Sequence, residues 1–285
     1  MMETRISSAT KEVIISDSGP TMLIGERINP TGKKKLAGAL KTGDLDVVRQ
    51  EAIAQVEAGA DILDVNVVAP EVDEIAVLPK VLEAIMAAVD VPLCIDINNP
   101  AALKEALKVY KGKPIVNSVS GEEKSLNEVL PLVKEYGAAV IGLALDDDGI
   151  PKTPEKRLEV ARKIIERAES MGIPREDIII DCLALSLGSD DQAGLLTLQA
   201  IRLVRSELGV NQTLGASNIS FGLPDRPLVN RAFLSLAIEA GVTSPTVDAA
   251  KVKSTILATD LILGRDRFSQ RFITGYRKRQ SAAAG

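Results

Sequence analysis

The chain contains no histidine and no tryptophan, and aromatic residues make up only 2% of its 285 positions. Without histidine there is no Ser-His-Asp triad and no His-ligated zinc. So few aromatics argue against a site built from stacked rings. Cysteine is scarce: Cys94 and Cys182 are the only two. They cannot form a disulfide framework and point to a reducing, cytoplasmic setting. No apolar run approaches the roughly 20 residues of a membrane span, and no signal-peptide pattern opens the chain. An excess of positive charge is also missing. Lysine and arginine total 34 against 39 acidic residues, a net charge of -5, where a broad nucleic-acid surface normally needs a basic balance.

What is present is regular. Short, β-branched apolar runs recur at 21–28, 61–67, 92–97, 114–120, 139–146, 178–185, 213–220 and 244–249. Their nearly unbroken hydrophobicity suits parallel strands covered on both faces. Amphipathic stretches follow them, at 45–60, 74–89, 101–110, 126–136, 154–171, 195–208, 228–240 and 251–263. Eight strand–helix units in about 250 residues fit an α/β chain folded as a single-domain (β/α)8 TIM barrel. An open doubly wound sheet competes, but no GxGxxG follows the first strand. The chain is expected to divide into an N-terminal extension (1–20) with a strand plugging the barrel floor, the barrel (21–264), and a C-terminal basic helix with a frayed tail (265–285).

Each strand begins apolar, and most turn polar toward the carboxyl end: Glu26 with Asn29, Asp64 with Asn66, Asp96 with Asn98, Asn117 with Ser118, Asp181, Ser217 with Asn218, and Asp248. In a barrel these ends open on one face, where active sites lie. Buried carboxylates and amides cost several kcal/mol unless partnered, so a ring of them predicts a ligand with complementary donors and acceptors. Carboxylates accept from N–H groups, while Asn both donates and accepts. A flat heterocycle with an amino-pyrimidinone edge suits that set.

The segments GERINPTG (25–32), LDVN (63–66), CIDINN (94–99), IVNSVS (115–120), IIID (178–181) and LGASNISFGLPDRPLVNRAFL (214–234) resemble the pterin-binding methyltransferase family. That family includes methyltetrahydrofolate:corrinoid/iron-sulfur protein methyltransferase and the folate domain of cobalamin-dependent methionine synthase. The resemblance covers roughly residues 21–263. It implies a homodimeric enzyme moving a methyl group between tetrahydrofolate and the cobalt of a corrinoid (cobalamin) carried by a separate protein, with no metal bound by this chain. It further implies that Asp96, Asn117 and Asp181 hold the pterin ring. Asn218 would bond near the methyl-bearing nitrogen, and Gly215, Ser217 and Arg226 would line the same pocket. Asn218 and Asp96 form the implied catalytic set. Glu26, Asn29, Asp64, Asn66, Asp146 and Phe221 are expected at the rim. Phe221 departs from some corrinoid/iron-sulfur relatives, which carry Gln there.

The remaining features have plainer readings. Cys94 and Cys182 read as small buried hydrophobes, Cys182 on the helix side of its strand. The run Asp146-Asp147-Asp148-Gly149 reads as a solvated loop rather than a cation site. Lys33, Lys34 and Lys35 read as a solvated loop, with attraction of a folate tail or an acidic partner as the functional alternative. The cluster Arg265, Arg267, Arg271, Arg277, Lys278 and Arg279 reads as solvated or at a subunit interface. Two other functions stay open: a dihydropteroate synthase, and a non-catalytic folate-binding or corrinoid-docking protein.

Overall fold

A computed structural model of the chain describes residues 2–284. Two strands, β1 (Glu3–Ser7) and β2 (Glu12–Ser16), pair antiparallel. The eight apolar runs each yield one strand: β3 (Ile24–Ile28), β4 (Ile62–Asn66), β5 (Leu93–Asp96), β6 (Ile115–Ser120), β7 (Ala139–Leu143), β8 (Ile178–Asp181), β9 (Gln212–Gly215) and β10 (Ser244–Val247). Helices α1 (Lys34–Thr42) and α2 (Asp46–Ala58) follow β3. One helix then follows each later strand: α3 (Glu74–Ala88), α4 (Pro100–Val109), α5 (Glu123–Tyr136), α6 (Pro154–Ser170), α7 (Ala193–Leu208), α8 (Arg226–Ala240) and α9 (Ala249–Ile262). A last helix, α10 (Gln270–Ala284), closes the described chain, and Gly285, at the tip of the expected frayed tail, lies outside the described residues. Strands β3 to β10 pair in sequence order, all parallel, and β10 pairs back with β3 to close a barrel.

Alternation along the strands divides the apolar residues between two cores. Leu63, Val65, Ile95, Val116, Val140, Ile180 and Leu214 point outward against the helices, and Cys182 joins them. Ile24, Ile62, Cys94, Ile115, Ile141 and Ile179 point inward. All of them but Ile141, which is mid-strand in β7, lie in the first two positions of their strands, and Ile6, Val13 and Ile15 of the hairpin pack in the same cluster. The floor is thus plugged by two strands where the sequence suggests one. Backbone bonds between Ser7 and Lys113, and side-chain bonds in which Asn211 Nδ2 donates to the Thr4 hydroxyl and the Ile15 carbonyl, tie the hairpin to the loops before β6 and β9.

Three further local differences have physical causes. The run 178–185 stops being strand at Asp181, because Asp181 Oδ1 accepts the Leu183 N–H at 2.7 Å and turns the chain, with Leu183 at φ +64°. The run 213–220 stops at Gly215, and Ala216–Ser220 wind into a short 3₁₀ turn. Part of the presumed lysine loop is helix: α1 begins at Lys34, while half-buried Lys33 donates to the Arg27 carbonyl at 2.7 Å. The C-terminal basic cluster is likewise partly structural. Arg271 and Arg265 flank the fully buried Asp260, at 2.9 and 3.8 Å, and Asp260 also accepts from the backbone and hydroxyl of Thr21.

Candidate active site

The strand positions that point inward near the floor are apolar, and two residues later the same stripe turns polar. Ile24 gives way to Glu26, Ile62 to Asp64 and Asn66, Cys94 to Asp96, Ile115 to Asn117, and Ile179 to Asp181. A period of two thus stacks a layer of carboxyls and amides on the apolar plug, facing the carboxyl-terminal mouth. In the register, Asp96 lies level with Asn66 on one side and Asn117 on the other.

Hydrogen bonds organise this layer. Asn66 Nδ2 donates to Asp96 Oδ2 at 2.9 Å, while its Oδ1 accepts the Val68 N–H at 2.8 Å. Asn117 Nδ2 donates to Asp64 Oδ1 at 3.1 Å. Burial, reinforced for Asp64 by the nearby Asp96 charge, pushes both carboxyls above their ordinary range. Two such neighbouring carboxyls disfavour each other's ionisation. The Cys94 thiol lies against Asp64 and is itself pushed well up by burial. Cys94 is buried as expected, but its neighbour is a carboxyl rather than only apolar carbon.

Across the mouth, Asp181 is pushed up to about 6 by burial, even though the Leu183 and Gly215 N–H groups hold its charged form. Gly215 ends β9, and a Cβ there would sit 3.2 Å from Nδ2 of Asn218. The missing side chain at 215 leaves room for the exposed Asn218 amide at the mouth. Ser217 donates to Glu26 Oε1 at 3.1 Å and so bridges the turn after β9 to β3. Arg226, the first residue of α8, holds the same turn, with Nε on Ser220 Oγ at 3.0 Å and Nη2 on the Ser217 carbonyl at 2.9 Å. Its guanidinium lies 5.8 Å from the ring centre of Phe221, which is 68% exposed on the rim.

Beside this layer opens a cleft of about 520 Å³, lined by Glu26, Arg27, Asn29, Thr31, Lys33, Ser217, Arg226, Asn230, Asp248 and Lys251 among others. Asn29 Oδ1 accepts from Thr31 N at 3.0 Å and so shapes its own loop. Asp248 stands 3.6 Å from Arg27 and 3.0 Å from Lys251. Arg27, Thr31 and Asn230 were not singled out by sequence reasoning. Arg27 sits inside the GERIN motif and Asn230 lies four residues after Arg226 on α8, so motif membership was the available signal. Asp146 is not brought to this cluster. Its carboxylate caps its own loop on Asp148 N at 3.0 Å, and it lines a separate groove with Lys152 and Lys156. Among the described residues, no group of three or more Cys, Asp or Glu gathers as a metal site, and no helix is long and apolar enough to cross a membrane.

Comparison with known proteins agrees with this architecture. The chain is 34% identical to the methylcorrinoid:tetrahydrofolate methyltransferase of Eubacterium limosum, over 90% of this chain and 96% of that protein. It is 30% identical to the methionine synthase of Mycobacterium tuberculosis, over 93% of this chain but 24% of that larger protein. Among solved structures, a dihydropteroate synthase from Yersinia pestis bound to a pterin–sulfa conjugate superposes with a TM-score of 0.71, covering 91% of this chain and 98% of that one. At 17% identity that likeness shows the barrel fold alone. The sequence profile of the pterin binding enzymes matches residues 25–248, and with its barrel and this relative at 34% identity the chain belongs to the pterin binding enzyme family.

Proposed function

We propose that this chain is a methyltransferase that moves a methyl group between tetrahydrofolate and the cobalt of a separate corrinoid protein. In this reading residues 21–264 form the catalytic unit, and the protein works as a cytoplasmic homodimer. The observation that carries the reading is the layer of acids and amides at one mouth of the barrel, in a chain that spans nearly the whole length of a methylcorrinoid:tetrahydrofolate methyltransferase. Asp96, Asn117 and Asp181 would accept from and donate to the pterin edge. Gly215, Ser217 and Arg226 would shape the wall beside it. Folate is bound as a substrate, and the corrinoid belongs to the partner, where it supplies the methyl donor or acceptor.

The chain's task is then to position the pterin and manage charge at its amine. A tertiary amine leaves poorly unless its nitrogen receives a hydrogen bond or a proton, so a preorganised donor aimed at that atom is worth about 3 kcal/mol. The exposed amide of Asn218, lying close over the bare Cα of Gly215, supports that role. Asp96, its carboxyl already steered by Asn66, supports the anchoring role. Incubation with methyltetrahydrofolate and a reduced corrinoid should give the methylated corrinoid, read by its absorbance. Asn218→Ala should slow that transfer about a hundredfold while barely changing folate affinity. Loss of affinity with unchanged turnover at saturation would overturn the assignment.

One observation favours a second reading. The cationic wall of Arg27, Lys33, Arg226 and Lys251 would also suit a pyrophosphate, as a dihydropteroate synthase requires. Incubation with a pterin pyrophosphate and aminobenzoate separates the two, and no condensation product is expected.

A further inference from the structure

A proton must enter or leave the pterin amine each time the N–CH3 bond is broken or made, and that proton has to reach solvent. Five buried or half-buried acids stand at the mouth, and four are committed elsewhere, Asp248 among them through its pairing with Arg27 and Lys251. Asp64 is 3% exposed, held by Asn117 and packed against Cys94 on the floor of the layer. Asp96 is held by Asn66. Asp181 is held by the N–H groups of Leu183 and Gly215. Glu26 differs from all of them. It lines the open cleft, and its side-chain partner is a hydroxyl, Ser217 Oγ, which can pass a proton on. Ser217 directly precedes Asn218, so this contact links the residue expected at the reacting nitrogen to a carboxyl with access to bulk water.

We propose that Glu26, through the Ser217 hydroxyl, exchanges the pterin amine's proton with solvent during methyl transfer; the inference rests on the methyl-transfer reading above. When tetrahydrofolate is methylated, the amine lone pair forms the new N–CH3 bond and the methyl donor keeps the electron pair of the bond that breaks. The amine's N–H proton passes to Ser217 while the Ser217 proton passes to Glu26, and the carboxylic acid then loses it to the cleft. In the opposite direction the same steps run backwards, and Glu26 supplies the proton as the C–N bond breaks.

The electrostatic surroundings fit an exchangeable site. Burial is the main force raising the Glu26 carboxyl above its ordinary range, and Asp248 adds to it. The Ser217 hydrogen bond, Lys33 and Lys251 pull the other way. Arg27 lies beside Asp248, and Asp64 on β4 feels the Glu26 charge. The carboxylate is the working form when tetrahydrofolate is methylated, so the rate at saturating folate should fall as pH drops through this raised value.

The test is the single-turnover rate of tetrahydrofolate methylation by a methylated corrinoid at saturating folate, across pH. Glu26→Gln should lower the neutral-pH rate about a hundredfold and flatten the acid limb, with the tetrahydrofolate Kd changed less than twofold. Ser217→Ala should flatten the same limb with a smaller drop, and it decides the matter if Glu26→Gln does not fold. Variants that keep the parental limb overturn the inference alone. A wild-type protein that transfers no methyl group overturns the methyl-transfer reading and the inference with it.

Discussion

Asp181 shows at a single residue how a buried acid at the mouth costs stability. Its carboxyl titrates near 6 in the fold against an ordinary 3.8. An acid raised by folding favours the fold while protonated, so its contribution is full below the ordinary value and is lost as pH rises through about 6. At neutral pH the buried charge therefore works against the fold, on the order of 3 kcal/mol for a shift of this size. Asp181→Asn keeps the shape without the charge. Thermal melts should show the variant more stable than the parent at pH 8, with the difference shrinking toward pH 4. If Asp181 accepts from the pterin, calorimetry should show tetrahydrofolate binding weakened by about 1–3 kcal/mol. Identical melting profiles from pH 4 to 8 would show that the charge is not felt, and unchanged affinity would remove Asp181 from the site.

The turn after β9 carries the most consequence for its length among the local elements. Gly215 ends the strand, Ala216–Ser220 wind back, and Arg226 at the start of α8 clamps the turn from outside. A Cβ at 215 would press on the Asn218 amide at 3.2 Å, a contact the neighbour can relieve only by shifting. Because small misplacements of a reacting group are expensive in rate, Gly215→Ala should slow methyl transfer about tenfold while leaving the melting temperature close to the parent's; a variant with parental rate would show that Asn218 tolerates displacement. The eight strands were legible because buried parallel strands read as continuous β-branched runs, and the polar residues ending them stood out against that background. The ends of the strands were not legible, since Asp181 and Ala216–Ser220 leave the ladder through side-chain and turn bonds that periodicity does not encode. Helix α1 was hidden because KKLAGALKT is short and charged, and it buries only Leu36, Ala39 and Leu40. The Glu26–Ser217 contact spans 191 positions and became visible only once the barrel closed.

At the scale of the whole molecule, the two ends of the barrel do different work. The amino-terminal end is an apolar plug in which Ile6 and Ile15 are fully buried and Val13 nearly so, against Ile24, Ile62, Ile115 and Ile179. The carboxyl-terminal end is a layer of acids and amides whose desolvation opposes folding. Stability gained at the floor must offset polar burial at the mouth, because the same strands, through the same inward stripe, contribute to both. Substitutions at the two ends should therefore separate stability from binding. Ile15→Ala removes packing from the plug and should cost about 2–5 kcal/mol in denaturant unfolding, yet the mouth layer lies on the far side of the inward isoleucines, so the tetrahydrofolate Kd of the folded protein should stay within twofold of the parent. Asp181→Asn should do the reverse, trading affinity for stability above pH 6. An Ile15→Ala protein that folds but loses folate affinity would show that the plug and the mouth are mechanically coupled, and would replace this division of labour with a single cooperative core.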